Sequence, residues 1–190
     1  MCDEDKKMVK RLLGADIGVG VYANSLAAIQ LAKEMGRKVI AGEKLNVFNA
    51  RALKFYQGLC DGVILSNELN GSRIKYIAKQ NANFFVTKAG KYDLIELNHC
   101  PMQENFMSSC KKCTFCEDII YQNSAKQNFL LKRKRLQNCY FRLVSSIISV
   151  RSENFVQSYF NFENFSQNEL KDYFDGKLLC ANRGFEDRTV

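Results

Sequence analysis

The chain has 190 residues, 46% of them hydrophobic and 25% charged, with a formal net charge of +8. That suffices for one domain with a sizeable core, or one and a half, and excludes the compositions of disordered and fibrous chains. No apolar run approaches the roughly 20 residues that span a membrane, and residues 1–7 mix charges of both signs without an apolar stretch, unlike a secretory signal. A cytoplasmic protein is the expectation, in a reducing compartment where cysteines bind metal or do chemistry more often than they pair.

Residues 1–97 alternate short apolar runs with helical patterns. Strands are predicted at 17–22, 38–41, 62–65 and 84–87, and helices at 25–35, 50–56 and 72–79. Leu26, Ile29, Ala32 and Met35 keep a spacing of three and so share one helix face. Gly36, Gly58 and Asn81 sit where these helices should stop. Strands alternating with helices argue for a parallel sheet. Four such β/α units make half of a (β/α)8 barrel of the TIM type, or else a small open sheet, and in either case the chemistry belongs in the loops at the carboxyl ends of the strands.

Those loops, 22–25, 42–49 and 66–69, are rich in Asn and Glu. Asn and Ser cap helices, which by itself accounts for Ser25, Asn49 and Ser72. Glu43 and Glu68 each follow an apolar strand directly and are the candidate catalytic carboxylates, with Asn46 and Asn49 as candidate substrate contacts.

Residues 98–190 read as a small α+β appendage built around a cysteine loop. Residues 98–118 combine His99, the sole proline Pro101 and four cysteines, a composition for irregular backbone. Strand-like runs follow at 128–131 and 139–144, with the basic stretch Lys132-Arg133-Lys134-Arg135 between them as a possible hairpin, then a strand at 155–162 and a helix at 169–174. The basic stretch could meet a nucleic-acid backbone or an anionic cofactor; a solvated strand edge is the plainer reading, and no stacking-aromatic motif accompanies it.

Cys100, Cys110, Cys113, Cys116 and Cys139 follow the spacing C-x9-C-x2-C-x2-C-x22-C. Thiols at such intervals wrap one loop around one metal centre, and thiolates select zinc, copper(I) or iron–sulfur clusters. Cys-x2-Cys-x2-Cys is part of a bacterial ferredoxin run, whereas the second CxxC or HxxxH pair typical of zinc sites is absent; free thiols are the third reading. His99 is a candidate ligand or proton donor. Cys60 reads as a small core residue, and Cys2 and Cys180 have no evident role.

The segment Leu45-Asn46-Val47-Phe48-Asn49, followed by Leu65-Ser66-Asn67-Glu68-Leu69, resembles the collagenase-like peptidase family U-32, where such segments end successive barrel strands. The resemblance continues through Asn98-His99-Cys100-Pro101, the Cys110 region, Asn138-Cys139-Tyr140 and residues 151–175, covering about residues 15 to 175. It implies a 4Fe–4S cluster on four cysteines, with zinc as the alternative. By position in the family pattern these are Cys100, Cys116, Cys139 and either Cys110 or Cys113; the family usually shows one cysteine in that middle interval. It also implies a complete barrel, of which this chain carries the second half, so that it is a fragment, a half that pairs with a partner supplying the missing half, or a chain that closes its sheet some other way.

Peptidase mechanisms need an activated nucleophile or a metal-bound water. Neither G-x-S-x-G nor H-E-x-x-H occurs, and there is a single histidine. The resemblance then favours a 4Fe–4S enzyme that modifies RNA or a small molecule, since related proteins are linked to oxygen-independent hydroxylation. The alternatives are a peptidase whose cysteines only staple the fold, and a non-catalytic half that binds a partner.

Overall fold

The helix starts are written locally. In the computed structural model, which describes residues 7, 10–11, 14, 20–80, 83–97, 99–101, 119–126, 128–135, 139–145, 149–150 and 157–177, Ser25 caps helix α1 (Leu26–Glu34) by accepting from the Ala28 N–H at 3.2 Å. The helix ends at Gly36, whose φ of 65° is the left-handed turn that glycine tolerates best. Asn49 caps α2 (Ala50–Gln57) through the Ala52 N–H at 2.9 Å. For α3 (Gly71–Gln80) the cap is Asn70, not Ser72: its Oδ1 accepts from the Arg73 N–H at 3.0 Å and from the Ser72 hydroxyl at 2.9 Å. A carboxamide two residues earlier reaches the free N–H groups that Ser72, already inside the first turn, cannot.

The fold is mixed α/β, and the chain divides into two units: Met1–Lys88 with Arg151–Phe160 and Arg183–Val190, and Ala89–Val150 with Asn161–Asn182. In the first, β1 (Val21–Ala23), β2 (Val39–Ala41) and β3 (Gly62–Val63) form a parallel sheet in that order. Just beyond β3, Ile64 pairs in parallel with Phe85. The parallel pairing thus follows the expected β/α order, and among the described residues no sheet is closed. The predicted strand at 84–87 lies later, as β4 (Val86–Gly90); Phe84 belongs instead to the apolar cluster packed beside the sheet. β10 (Ser158–Asn161) runs beside β4, with the Val86 N–H donating to the Gln157 carbonyl at 3.2 Å.

Strand alternation decides which side chains meet the helices. Ala23 and Val39 pack with Ile29 and Ala32 of α1, while Ala41 and Val63 join Leu53 of α2 and Ile74 and Ile77 of α3. The intervening residues Tyr22 and Ile40 face the other way and are 41% and 38% exposed. Cys60, read as a core residue, is half-buried against both apolar clusters.

The second unit is an antiparallel sheet in the order β5 (Asp93–Leu97), β8 (Cys139–Ser145), β7 (Asn128–Arg135), β6 (Ile119–Gln122). The basic run Lys132–Arg135 is neither hairpin turn nor sheet edge. It is the second half of β7, a strand flanked by β6 and β8. β9 (Ser149–Val150) pairs antiparallel with Ala89 and Gly90. Helix α4 (Gln167–Phe174) opens on a capping box, with Ser166 and Glu169 satisfying each other's backbone N–H.

Ion pairs made by two buried cations hold this unit. Buried Arg142 binds Asp93 at 3.0 Å and Glu163 at 2.9 Å, and buried Lys91 binds Glu169 at 2.7 Å. The apolar cluster beside them is small, centred on Leu131 and Phe141. Among the described residues no helix is long and apolar enough to cross a membrane.

Candidate active site at the strand ends and candidate cluster ligands

At the carboxyl ends of the parallel strands the chain turns through the loops singled out above. Glu43 opens a short 3-10 turn (Glu43–Leu45) directly after β2, and its carboxylate Oε2 accepts a hydrogen bond from the Tyr22 hydroxyl at the end of β1. Burial first, and then the hydrogen bond to Glu43, push the Tyr22 phenol far above its usual range, with a further contribution from Tyr159. Tyr22 is therefore a neutral donor at any physiological pH, and it presents a fixed O–H to the carboxylate. Tyr159 on β10 stacks on Tyr22, ring centres 5.8 Å apart and planes 14° from parallel.

Gly42 makes this closure possible. A Cβ there would lie 2.7 Å from the Tyr22 ring and would overlap the Asn24 carboxamide oxygen. That oxygen instead accepts from the Lys44 N–H at 3.3 Å, tying the first loop to the second. The second loop is tied to the third by the Ser66 N–H, which donates to the Val47 carbonyl at 3.0 Å.

The candidate residues separate within these loops. Glu43 is engaged with Tyr22. Asn46 takes a left-handed conformation (φ 50°) at the end of the 3-10 turn, with its N–H donating to the Glu43 carbonyl. The Asn49 carboxamide oxygen is spent on the α2 cap. Glu68 is exposed, its N–H donating to the Ser66 hydroxyl at 3.3 Å, and no hydrogen bond among the described residues joins it to Glu43. The strand ends thus present a carboxylate–phenol pair with an aromatic backing, not a pair of carboxylates. Such a pair can accept a proton or hold a hydrogen-bond donor. Tyr22, Tyr159 and Gly42 were not among the candidates read from sequence. The legible signal was Tyr22 standing near the end of an apolar strand, on the alternate face from Ala23.

The cysteines divide differently. Cys100 lies three residues beyond Leu97, the last described residue of β5, and Cys139 begins β8; the pairing of Leu97 with Phe141 puts both at the same end of the same sheet. Cys100 is a free thiol packed beside Leu131 and Phe141. His99, at the same turn, is exposed. Cys110, Cys113 and Cys116 lie outside the described residues, and among those described no group of three potential ligands is assembled. Elsewhere, burial pushes the Cys60 thiol up, with Lys33 opposing and Asp61 adding, so this cysteine is a poor nucleophile.

Two curated proteins are similar to part of the chain. A collagenase of Porphyromonas gingivalis is 33% identical over 78 residues, and an uncharacterized protease of Methanocaldococcus jannaschii is 37% identical over 79 residues. Each match covers 40% of this chain and 19% of the relative, so the matched segment is about a fifth of the length of these proteins. No protein-family model matches the chain, and no solved structure does. Across two-fifths of its length, the chain resembles the U-32 collagenase-like protease family.

Proposed function

We propose that this chain is an iron–sulfur protein of the U-32 type, in which Cys100, Cys116, Cys139 and one of Cys110 and Cys113 hold a 4Fe–4S cluster. The observation that carries the reading is the register of β5 against β8, which brings Cys100 and Cys139 to one end of one sheet. The three remaining thiols lie between them in sequence. Bound there, the cluster would supply an electron-carrying centre. The four β/α units are then read as half of a (β/α)8 barrel, and a partner chain or segment as the source of the remaining strands. The strand ends bearing Glu43, Asn46, Asn49 and Glu68 would position an RNA or small-molecule substrate for modification, with hydroxylation as the reaction class.

The names of the relatives favour a second reading, a peptidase whose cysteines staple the fold. Purification away from oxygen separates the two. The first reading expects a brown protein with iron and acid-labile sulfide in equal amounts, both lost in Cys116→Ala and Cys139→Ala. Zinc without sulfide replaces the cluster by a zinc site. Gelatin cleavage that survives removal of iron supports the peptidase and overturns the first reading.

A further inference from the structure

A parallel sheet is ordinarily covered on both faces. Here the helices take one face, and the row opposite them runs across the strands from Tyr22 to Ile40 to Gly62, residues in direct register. Phe85 lies over Gly62, its ring 3.1 Å from where a Cβ would stand, with the Ile40 side chain alongside. Tyr22 and Ile40 remain substantially exposed. The row is therefore an apolar floor, covered at Gly62 by the Phe85 ring. At its Tyr22 end stands the Glu43 carboxylate, oriented by the Tyr22 O–H, with the Tyr159 ring stacked on that of Tyr22.

We infer that this face binds an alkylammonium group, the shape of a lysine side chain. The apolar stem lies on Tyr22 and Ile40, and the charged nitrogen meets Glu43. Three features select that chemistry. The Glu43 carboxylate accepts one O–H from Tyr22 and has lone pairs left for further donors, which suits a cationic donor better than an anionic head. Stacked tyrosine rings present π-faces and edges that attract a cation within about 6 Å of a ring centre. The floor beside them has no charged side chain in its row, which suits methylene groups and offers nothing to a sugar or phosphate. The inference rests on neither reading of the cysteines, so iron analysis and the following test fail independently.

The test is a titration of the whole chain, followed by chemical-shift changes at the Tyr22, Ile40 and Glu43 amides. The probes are n-butylammonium, N-acetyl-lysine methylamide and the uncharged stem butan-1-ol. The two ammonium compounds are expected to shift these amides saturably, at least tenfold more tightly than butanol, and their relative affinity tells a free amine from a peptide side chain. Glu43→Gln should abolish the preference for charge, and Tyr159→Leu should weaken it. Glu34→Gln, an exposed carboxylate on α1, should leave it unchanged. Equal binding of butanol and butylammonium, or an unchanged preference in a folded Glu43→Gln chain, overturns the inference. Should Glu43→Gln fail to fold, the comparison with butanol in the unaltered chain decides alone.

Discussion

The two units of this chain solve the same packing problem with different materials. The first buries a long run of aliphatic side chains between its parallel strands and helices: Val39, Val47, Leu53, Val63, Leu65, Leu69 and Ile74 are all essentially inaccessible. The second buries Leu131, Phe141 and Val144, and beside them places a guanidinium and an ammonium with their carboxylates. A β/α unit covers its strands with helices, so alternate residues can all be apolar. An antiparallel sheet with one short helix has less apolar surface to offer, and ion pairs occupy what is left. The first unit thus rests on apolar packing, and the second adds buried ion pairs to it.

The largest expected effect breaks the second unit. Arg142→Ala removes the buried guanidinium that pairs with Asp93, whose side chain is only 12% exposed, and with Glu163. Removing one member of a buried pair costs about 3–5 kcal/mol. Hydrogen exchange should then show lost protection in β5, β7 and β8, with β1 to β3 unaffected; equal loss in both would mean the contrast is false. The complementary change is Leu53→Ala, which empties a fully buried site between α2 and the sheet. It should cost about 2–5 kcal/mol, measured by urea denaturation, with the loss of protection confined to β2, β3 and the helices.

A smaller effect sharpens the comparison through pH. Burial alone would raise the Glu169 carboxyl, but the hydrogen bonds from Lys91 and Ser166 outweigh it and hold the group below its usual value. A carboxylate lowered in the folded state adds stability that is present above its unfolded pKa, about 4.3, and lost as pH falls through the folded value. The second unit should therefore weaken on acidification through that range. In Glu169→Gln the same acid titration, followed by circular dichroism, should show less of this loss; an unchanged acid profile would assign the dependence to other groups.

Much of the fold was legible because it is local. The caps at Ser25 and Asn49, the helix stop at Gly36 and the recurrence of apolar strands are written within a few residues of where they act. The Asn70 cap was missed because two neighbouring polar residues compete for it and only the geometry of the turn chooses. The basic run was misplaced for a related reason. Four consecutive charges read as surface, yet in β7 alternate residues point to opposite faces, and Lys132 and Arg133 are half-buried between neighbouring strands. Of the candidate site, Glu43 was found from its place after an apolar strand. Its partners were not, since Tyr159 lies far along the chain and only the tertiary fold stacks it on Tyr22.

The sequence by itself determined the alternation of strands and helices, the caps that begin two of the helices, and the crowding of cysteines after residue 97. Each follows from periodicity, turn chemistry or ligand spacing, which act over short stretches of chain. Only the tertiary structure decided that Tyr22 orients Glu43, that Arg142 is buried between two carboxylates, and that Cys100 and Cys139 share one end of a sheet. These contacts join residues distant in sequence, and their existence depends on strand register, where a shift of one residue would turn each side chain to the opposite face.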